Sequence, residues 1–123
     1  MTHSAFPSRG GYLSCEDLRI ADLLAAGLPT PFFLYSAAEL RRCAAAYAQA
    51  ADGLAATIGY AVKANHNPAI LALLLSKPTV STDAQMGATV VSAAELALVL
   101  RAGCPGARVV LHGNGKRPED LRA

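Results

Sequence analysis

Short apolar runs alternate with segments of helical character along the chain, and this alternation predicts parallel β-α units. The predicted strands are residues 32–35, 56–62, 88–91 and 108–112. Crossovers between successive parallel strands are right-handed, so consecutive units build one sheet with helices packed on it. We therefore expect an α/β fold with about four β-α units.

Helix-start signals stand in front of the apolar, Ala-rich segments. Residues 36–39 and 92–95 both read Ser-Ala-Ala-Glu, the pattern of a capping box. Asn67 before Pro68 places a side-chain acceptor and a fixed φ at a helix start, and Ser14 gives a similar signal. The predicted helices cover residues 15–26, 37–52, 69–76 and 93–102, and a last one opens at 118–121.

Two features differ from a finished domain of this class. Residues 77–87 form a polar connection that is longer than is usual between a helix and a strand, and we expect them to be exposed. The last helix is cut off after about one turn. We therefore expect the chain to be the front part of a longer domain.

Composition narrows the class of protein. Of the 123 residues, 53% are hydrophobic and 16% charged, with a net charge of +2, which argues against intrinsic disorder and against a phosphate-tracking nucleic-acid surface. The sequence has neither a long apolar membrane span nor the apolar stretch of a secretory signal, so we expect a soluble, cytoplasmic protein, with plastid import left open. Cys15, Cys43 and Cys104 are odd in number and widely spaced, which predicts reduced thiols and no metal site.

One predicted strand end carries a candidate reactive group. Strand alternation places Gly59, Ala61 and Lys63 on one face, which is bare except for the amine. In a barrel of parallel strands, small inward residues leave space for a ligand at the carboxyl ends of the strands. A lysine there can act as a nucleophile or form an imine. On spacing alone, the alternative is a solvated lysine at a strand end.

The sequence Tyr-Ala-Val-Lys-Ala-Asn at residues 60–65 closely resembles the lysine motif of the fold-type III decarboxylases that use pyridoxal phosphate. Residues 30–35, 87–96 and 112–116 resemble other segments of this family in the correct order. The resemblance extends from about Gly11 to the last residue, and four ordered motifs are more specific than one.

This resemblance implies roles for individual residues. Lys63 would hold pyridoxal phosphate as an imine and be displaced by the substrate amine, while Ala61 would leave room beside the cofactor ring. Glu95 matches an acidic residue near that lysine, although its capping-box position explains it equally well. The family usually carries an aspartate at the position of Thr89, a cofactor-site residue, so the uncharged threonine is a departure.

The resemblance also implies a fold and an activity. The fold would be the N-terminal portion of a (β/α)₈ barrel, with an arm and helix over residues 1–27 and the partial barrel over 28–123. Within the family the motifs are most similar to those of members that decarboxylate meso-diaminopimelate to L-lysine, with ornithine or arginine as alternative substrates. The full-length enzyme would be a homodimer, and the isolated chain would be inactive. A non-catalytic or partner-dependent piece is the alternative of another class.

Three further features are weaker candidates. Residues 113–116, Gly-Asn-Gly-Lys, lack the spacing and the following hydroxyl residue of a phosphate-binding loop. His66 and His112 both lie at predicted strand ends, but a lone histidine is more often a loop or core residue than a catalyst.

Overall fold

The computed structural model describes residues 4–76 and 85–122, which belong to two compact units divided after Leu40. The strands are β1 (Ser8–Arg9), β2 (Tyr12–Cys15), β3 (Leu18–Arg19), β4 (Thr57–Ala61), β5 (Gln85–Val90) and β6 (Val109–Leu111). The helices are α1 (Ile20–Ala25), α2 (Ala37–Ala50), α3 (Pro68–Leu75) and α4 (Ala93–Arg101), with 3₁₀ turns at Val62–Ala64 and Gly106–Arg108. No helix in these two ranges is long and apolar enough to cross a membrane.

The first unit contains an antiparallel sheet that the sequence analysis missed. The strand order is β1-β2-β3, with Arg9 opposite Tyr12 across a two-residue turn at Gly10 and Gly11. Both glycines have positive φ angles, +59° and +82°, as a type I′ hairpin turn requires. The Gly-Gly pair was therefore a usable signal for this hairpin.

The helix predicted over residues 15–26 is wrong in its first part, since α1 begins only at Ile20. Ser14 and Cys15 instead pair with β3, and Ser14 donates its N–H to the Pro7 carbonyl at 3.0 Å. A second tight turn at Glu16, with a φ of +53°, joins the two strands. Because strand pairing uses these backbone groups, Ser14 does not cap a helix.

The strand predicted at residues 32–35 is also wrong. This segment pairs with none of the strands in the described part of the chain. Phe33 is 89% exposed, and its ring stacks on the exposed Tyr35 ring with 6.4 Å between centroids. Pro31 lacks the N–H that a sheet ladder needs. Apolar content alone misidentified this segment as a buried strand.

Helix α2 begins as predicted, with one addition. The Glu39 N–H donates to Ser36 Oγ at 3.0 Å, as expected of an N-cap serine. Ser36 Oγ and the Ala38 N–H both donate to one carboxylate oxygen of Glu16, each at 2.9 Å. A carboxylate from the hairpin turn therefore supplies negative charge to the first turn of the helix, where it is stabilising.

The second unit contains the predicted parallel β-α units. Its sheet has the order β4-β5-β6, with all neighbours parallel. Helix α3 follows β4 and starts at the predicted N-cap, because Asn67 Oδ1 accepts the Ala69 N–H at 2.9 Å. Helix α4 follows β5, with Ser92 Oγ accepting the Glu95 N–H at 3.2 Å. In the described residues the sheet is three-stranded and open, not a closed barrel.

The core of this unit lies on one face of the sheet. Helices α3 and α4 both pack against β5. Alternate residues of β5, namely Met86, Ala88 and Val90, are buried. The buried helix side chains of this unit include Ile70, Leu71, Leu74, Leu75 and Val99. The Arg108 guanidinium ties the start of β6 to β5 by donating to the Met86 carbonyl at 3.0 Å.

The structure differs from the sequence-based predictions in two connecting segments. Most of the connection expected at residues 77–87 lies outside the described residues, but residues 85–87 belong to β5, and Met86 and Gly87 are buried. The helix expected to open at 118–121 is a set of turns in the described residues. Asp120 closes this segment by accepting hydrogen bonds from the Arg117 backbone N–H at 2.9 Å and from Nε and Nη2 of its guanidinium at 3.4 and 3.3 Å.

Candidate active site on the parallel sheet

The face of the sheet opposite the helices carries two of the predicted site residues. Ala61 lies opposite Thr89, and Thr89 lies opposite Val110 on β6. Registered partners in a sheet present their side chains on the same face. Lys63 lies beyond the strand, in the 3₁₀ turn that follows Ala61. The structure therefore brings Ala61 and Thr89 together on one face, with Lys63 in the turn at the carboxyl end of β4.

Two glycines make this face shallow. A Cβ on Gly59 would lie 2.6 Å from Thr89 Oγ1, so the threonine hydroxyl occupies the space that a side chain at position 59 would need. A Cβ on Gly87 would overlap the Arg108 carbonyl and lie 2.7 Å from a methyl of Thr57. Glycine is therefore required at both positions by close approach of neighbouring atoms.

Lys63 lies in the 3₁₀ turn directly after β4 and is exposed. Within residues 4–76 and 85–122 its amine takes part in neither a hydrogen bond nor an ion pair. The turn itself is fixed, because its first residue, Val62, is 0% exposed. The Tyr60 hydroxyl also donates to the Asn65 carbonyl at 3.0 Å, across this turn.

Glu95 lies in the first turn of α4 and is half-buried. One of its carboxylate oxygens accepts the Val91 N–H at 2.8 Å, while its own N–H donates to Ser92. This is close to the reciprocal bonding of a capping box, except that the carboxylate accepts the N–H of the residue before the N-cap and not that of the N-cap itself. The structure thus gives Glu95 a capping role.

The two histidines lie near the same sheet edge. His112 directly follows β6, and its N–H donates to the Val90 carbonyl at 2.8 Å, which extends the ladder. His66 follows the 3₁₀ turn of Lys63. Both are exposed. Position alone therefore assigns them no chemical role.

The cysteines are free thiols, as expected. Cys15 and Cys104 are buried, and Cys43 is exposed. Burial raises the pKa of the Cys15 and Cys104 thiols, which disfavours the reactive thiolate. Among the described residues no cluster of His, Cys, Asp and Glu could hold a metal ion.

Sequence reasoning missed the contribution of Tyr60 to this site. Tyr60 pairs with Ala88, on the face opposite Ala61, and strand alternation alone indicates only that such a residue packs on the helices. The available signal was its phenol, because a partly buried tyrosine hydroxyl usually finds a hydrogen-bond partner. No sequence rule identified a carbonyl five residues ahead as that partner.

Comparison with known proteins gives a consistent result. The family described as "Pyridoxal-dependent decarboxylase, pyridoxal binding domain" matches residues 37–123. The chain is 44% identical, over 111 residues, to a probable chloroplastic diaminopimelate decarboxylase of Oryza sativa, covering 90% of this chain and 21% of that protein. It is 35% identical to the diaminopimelate decarboxylase of Zymomonas mobilis, covering 95% and 27%. The chain thus spans about a quarter of the length of these relatives.

Solved structures agree with the sequence comparison. The crystal structure of diaminopimelate decarboxylase from Helicobacter pylori, complexed with L-lysine, has a TM-score of 0.66 and 33% identity, covering 82% of this chain and 24% of that one. An Aquifex aeolicus protein has a TM-score of 0.73 and 32% identity, covering 94% and 27%. The parallel β-α units therefore match part of a decarboxylase fold, and the chain belongs to the pyridoxal-dependent decarboxylase family, whose pyridoxal binding domain it matches.

Proposed function

We propose that this chain is part of a decarboxylase in which Lys63 holds pyridoxal phosphate. The observation that carries the proposal is the exposed amine of Lys63 at the end of a sheet face lined by Gly59, Ala61 and Thr89. This location corresponds to the carboxyl ends of parallel strands, where barrel enzymes place their active sites.

The residues on this face fit such a cofactor. A flat aromatic ring needs a shallow surface, and Gly59 and Ala61 supply one. The primary amine of Lys63 would hold the cofactor through the cofactor's aldehyde group. The Thr89 hydroxyl adds a neutral hydrogen-bonding group, and it supplies no charge.

Each residue of the site has its own role in the proposed reaction. When bound, pyridoxal phosphate supplies an electron sink for the bond that breaks as carbon dioxide leaves. Lys63 would anchor the cofactor, and its nitrogen would be able to hold or move a proton. Ala61 keeps the ring position open, and Thr89 holds its place over Gly59. Glu95 fixes the start of α4 behind this edge and is a candidate cofactor-site residue.

For the substrate we propose meso-diaminopimelate, with L-lysine as the product. Relatives at 35–44% identity bear the name diaminopimelate decarboxylase, and the Helicobacter pylori structure is a complex with L-lysine. Ornithine and arginine remain the alternative substrates, because they require the same chemistry at the α-carbon.

Covalent trapping tests the lysine assignment. The chain has three lysines, Lys63, Lys77 and Lys116, so the other two serve as internal controls. The protein is incubated with pyridoxal phosphate, reduced with borohydride and mapped by peptide mass spectrometry. We expect the reduced adduct on Lys63 and its loss in Lys63→Arg. An adduct mainly on another lysine would overturn the assignment.

A substrate assay tests the reaction. Protein that contains this chain, isolated from its source, is assayed for carbon dioxide release from meso-diaminopimelate, ornithine and arginine. We expect release from meso-diaminopimelate, and faster release from either of the others would replace that substrate.

A segment without catalysis of its own is the second candidate. The observations that favour it are the coverage of only 21% and 27% of the two relatives and the open sheet of the described residues. It predicts that the 123-residue chain alone releases no carbon dioxide from any of the three amino acids. A monodisperse, cooperatively melting and active chain would contradict it.

A further inference from the structure

The Tyr60 side chain bridges the turn that carries Lys63. Tyr60 lies on β4, on the face opposite Ala61, and is half-buried. Its hydroxyl donates to the Asn65 carbonyl at 3.0 Å. Between these two residues lie Ala61 and the single 3₁₀ turn Val62–Ala64. The hydrogen bond therefore closes a short loop of backbone that contains Lys63.

The far end of the turn is fixed by a second set of bonds. Asn65 Oδ1 accepts the Asn67 N–H at 2.9 Å, and Asn67 Oδ1 accepts the Ala69 N–H at 2.9 Å. Asn65 thus links the turn to the start of α3 through its side chain and to β4 through its carbonyl. A 3₁₀ turn has weaker backbone geometry than an α-helix, so such outside bonds contribute much of its order.

We propose that Tyr60 is a positioning residue for Lys63, acting through the Asn65 carbonyl without contacting the lysine or the cofactor. This inference rests on the proposed role of Lys63. The lysine side chain is a flexible four-carbon stem, so the direction in which its amine points depends on the backbone that carries it. Reaction at that amine needs close and aligned atoms, and a fixed backbone preserves that alignment.

The decisive variant is Tyr60→Phe, which removes the hydroxyl and keeps the ring. Tyr47→Phe is the matched control, because Tyr47 is 67% exposed on α2. We measure the yield of borohydride-trapped pyridoxal phosphate on Lys63 relative to the exposed Lys116. Loss of one hydrogen bond should lower this ratio about fivefold in Tyr60→Phe and leave it unchanged in the control.

Hydrogen exchange supplies a readout without cofactor. We expect the amides of residues 62–66 to exchange about fivefold faster in Tyr60→Phe than in the wild type, with β5 unchanged. A merely structural role would instead accelerate exchange throughout the second unit and would leave the ratio of trapping on Lys63 to that on Lys116 unchanged. In the wild type itself, the amides of residues 62–66 should exchange more slowly than those of the exposed residues 114–116.

The outcomes separate this inference from the proposed function. If the wild type traps no cofactor preferentially on Lys63, the proposed function fails, whatever exchange shows. If the wild type traps cofactor on Lys63 and Tyr60→Phe traps it equally, the positioning role is overturned. If Tyr60→Phe fails to fold, hydrogen exchange of the wild type decides: amides 62–66 that exchange as fast as amides 114–116 would overturn the proposal.

Discussion

The hydroxyl of Thr89 lies where a side chain on Gly59 would begin, 2.6 Å from the ideal Cβ position. The two residues are on neighbouring parallel strands, with Gly59 opposite Gly87 and Thr89 one pleat further along β5. This diagonal contact explains why a strand interior contains a glycine, which otherwise weakens strands. The Thr89 side chain therefore covers Gly59 on the face that also carries Ala61.

Gly59→Ala should destabilise the fold by about 1 to 3 kcal/mol, because the added methyl forces the Thr89 hydroxyl to move. Thr89→Ala removes that hydroxyl and should recover part of the loss in the double variant. Urea unfolding of the two single variants and the double variant forms a thermodynamic cycle, with an expected coupling of about 1 kcal/mol. Gly115→Ala is the control, since nothing lies within 4 Å of its Cβ position. Strictly additive effects would contradict the contact.

Gly87→Ala should be more damaging and should not be rescued by a side-chain change. Its new methyl would meet the backbone carbonyl of Arg108, which can move only with β6. We expect a loss of about 3 kcal/mol or more in urea unfolding, or no folded protein. Trimming the second neighbour with Thr57→Ser should leave the loss almost unchanged. A cost no larger than that of Gly59→Ala would show that β6 is easily displaced.

Variants at Glu95 separate capping from cofactor binding. Glu95→Gln keeps an oxygen that can accept the Val91 N–H, so unfolding stability should stay within about 0.5 kcal/mol of the wild type. Glu95→Ala removes the acceptor and should cost about 1 kcal/mol, similar to Ser92→Ala. If the carboxylate also serves the cofactor, Glu95→Gln should still lower trapping on Lys63. If Glu95→Gln traps as much cofactor on Lys63 as the wild type does, Glu95 serves only to cap the helix.

Low pH should weaken the hydrogen bonds by which Asp120 stabilises its turn. The Arg117 side chain and N–H donate to this carboxylate and hold its pKa below the ordinary value of 3.8. Because the folded pKa is the lower one, the stabilisation is complete above the unfolded pKa and disappears as the pH falls through the folded pKa. Carboxyl carbon NMR should show Asp120 titrating below 3.8, with Arg117→Gln moving its midpoint upward. Lys116→Gln is the control on a neighbouring exposed cation, and equal midpoints in wild type and Arg117→Gln would refute the pair.

The sequence predicted the second unit much better than the first. Strands β4 to β6 are marked by apolar runs. Helices α3 and α4 are marked both by apolar segments and by the N-cap residues Asn67 and Ser92, so two independent signals agree at each helix start. In the first unit the signals conflict. Ser14 resembles a cap but pairs in a hairpin, and residues 32–35 are apolar but form no strand, with Phe33 and Tyr35 exposed.

The residues of the candidate site remain a prediction, whereas the contacts around them come from the structure alone. Alternation with period two places Ala61 on the face that the strand register gives it, but Lys63 lies in the 3₁₀ turn after β4, where alternation no longer applies. The pairing of Ala61 with Thr89 depends on register, which is set by long-range packing rather than by local sequence. For the same reason, neither the Thr89 hydroxyl over Gly59 nor the reach of Glu16 to the start of α2 was visible in the pattern.

The two faces of the parallel sheet should accept different kinds of mutation. On the face of Gly59 and Gly87 the limit is size, because a single carbon atom already meets its neighbours. On the face of Ala88 and Val90 the limit is polarity, because those side chains are 0% exposed. A complete substitution scan along β5 would therefore alternate, residue by residue, between positions that reject large side chains and positions that reject charged ones. The substitutions that each position accepts would then show which face of the sheet it belongs to.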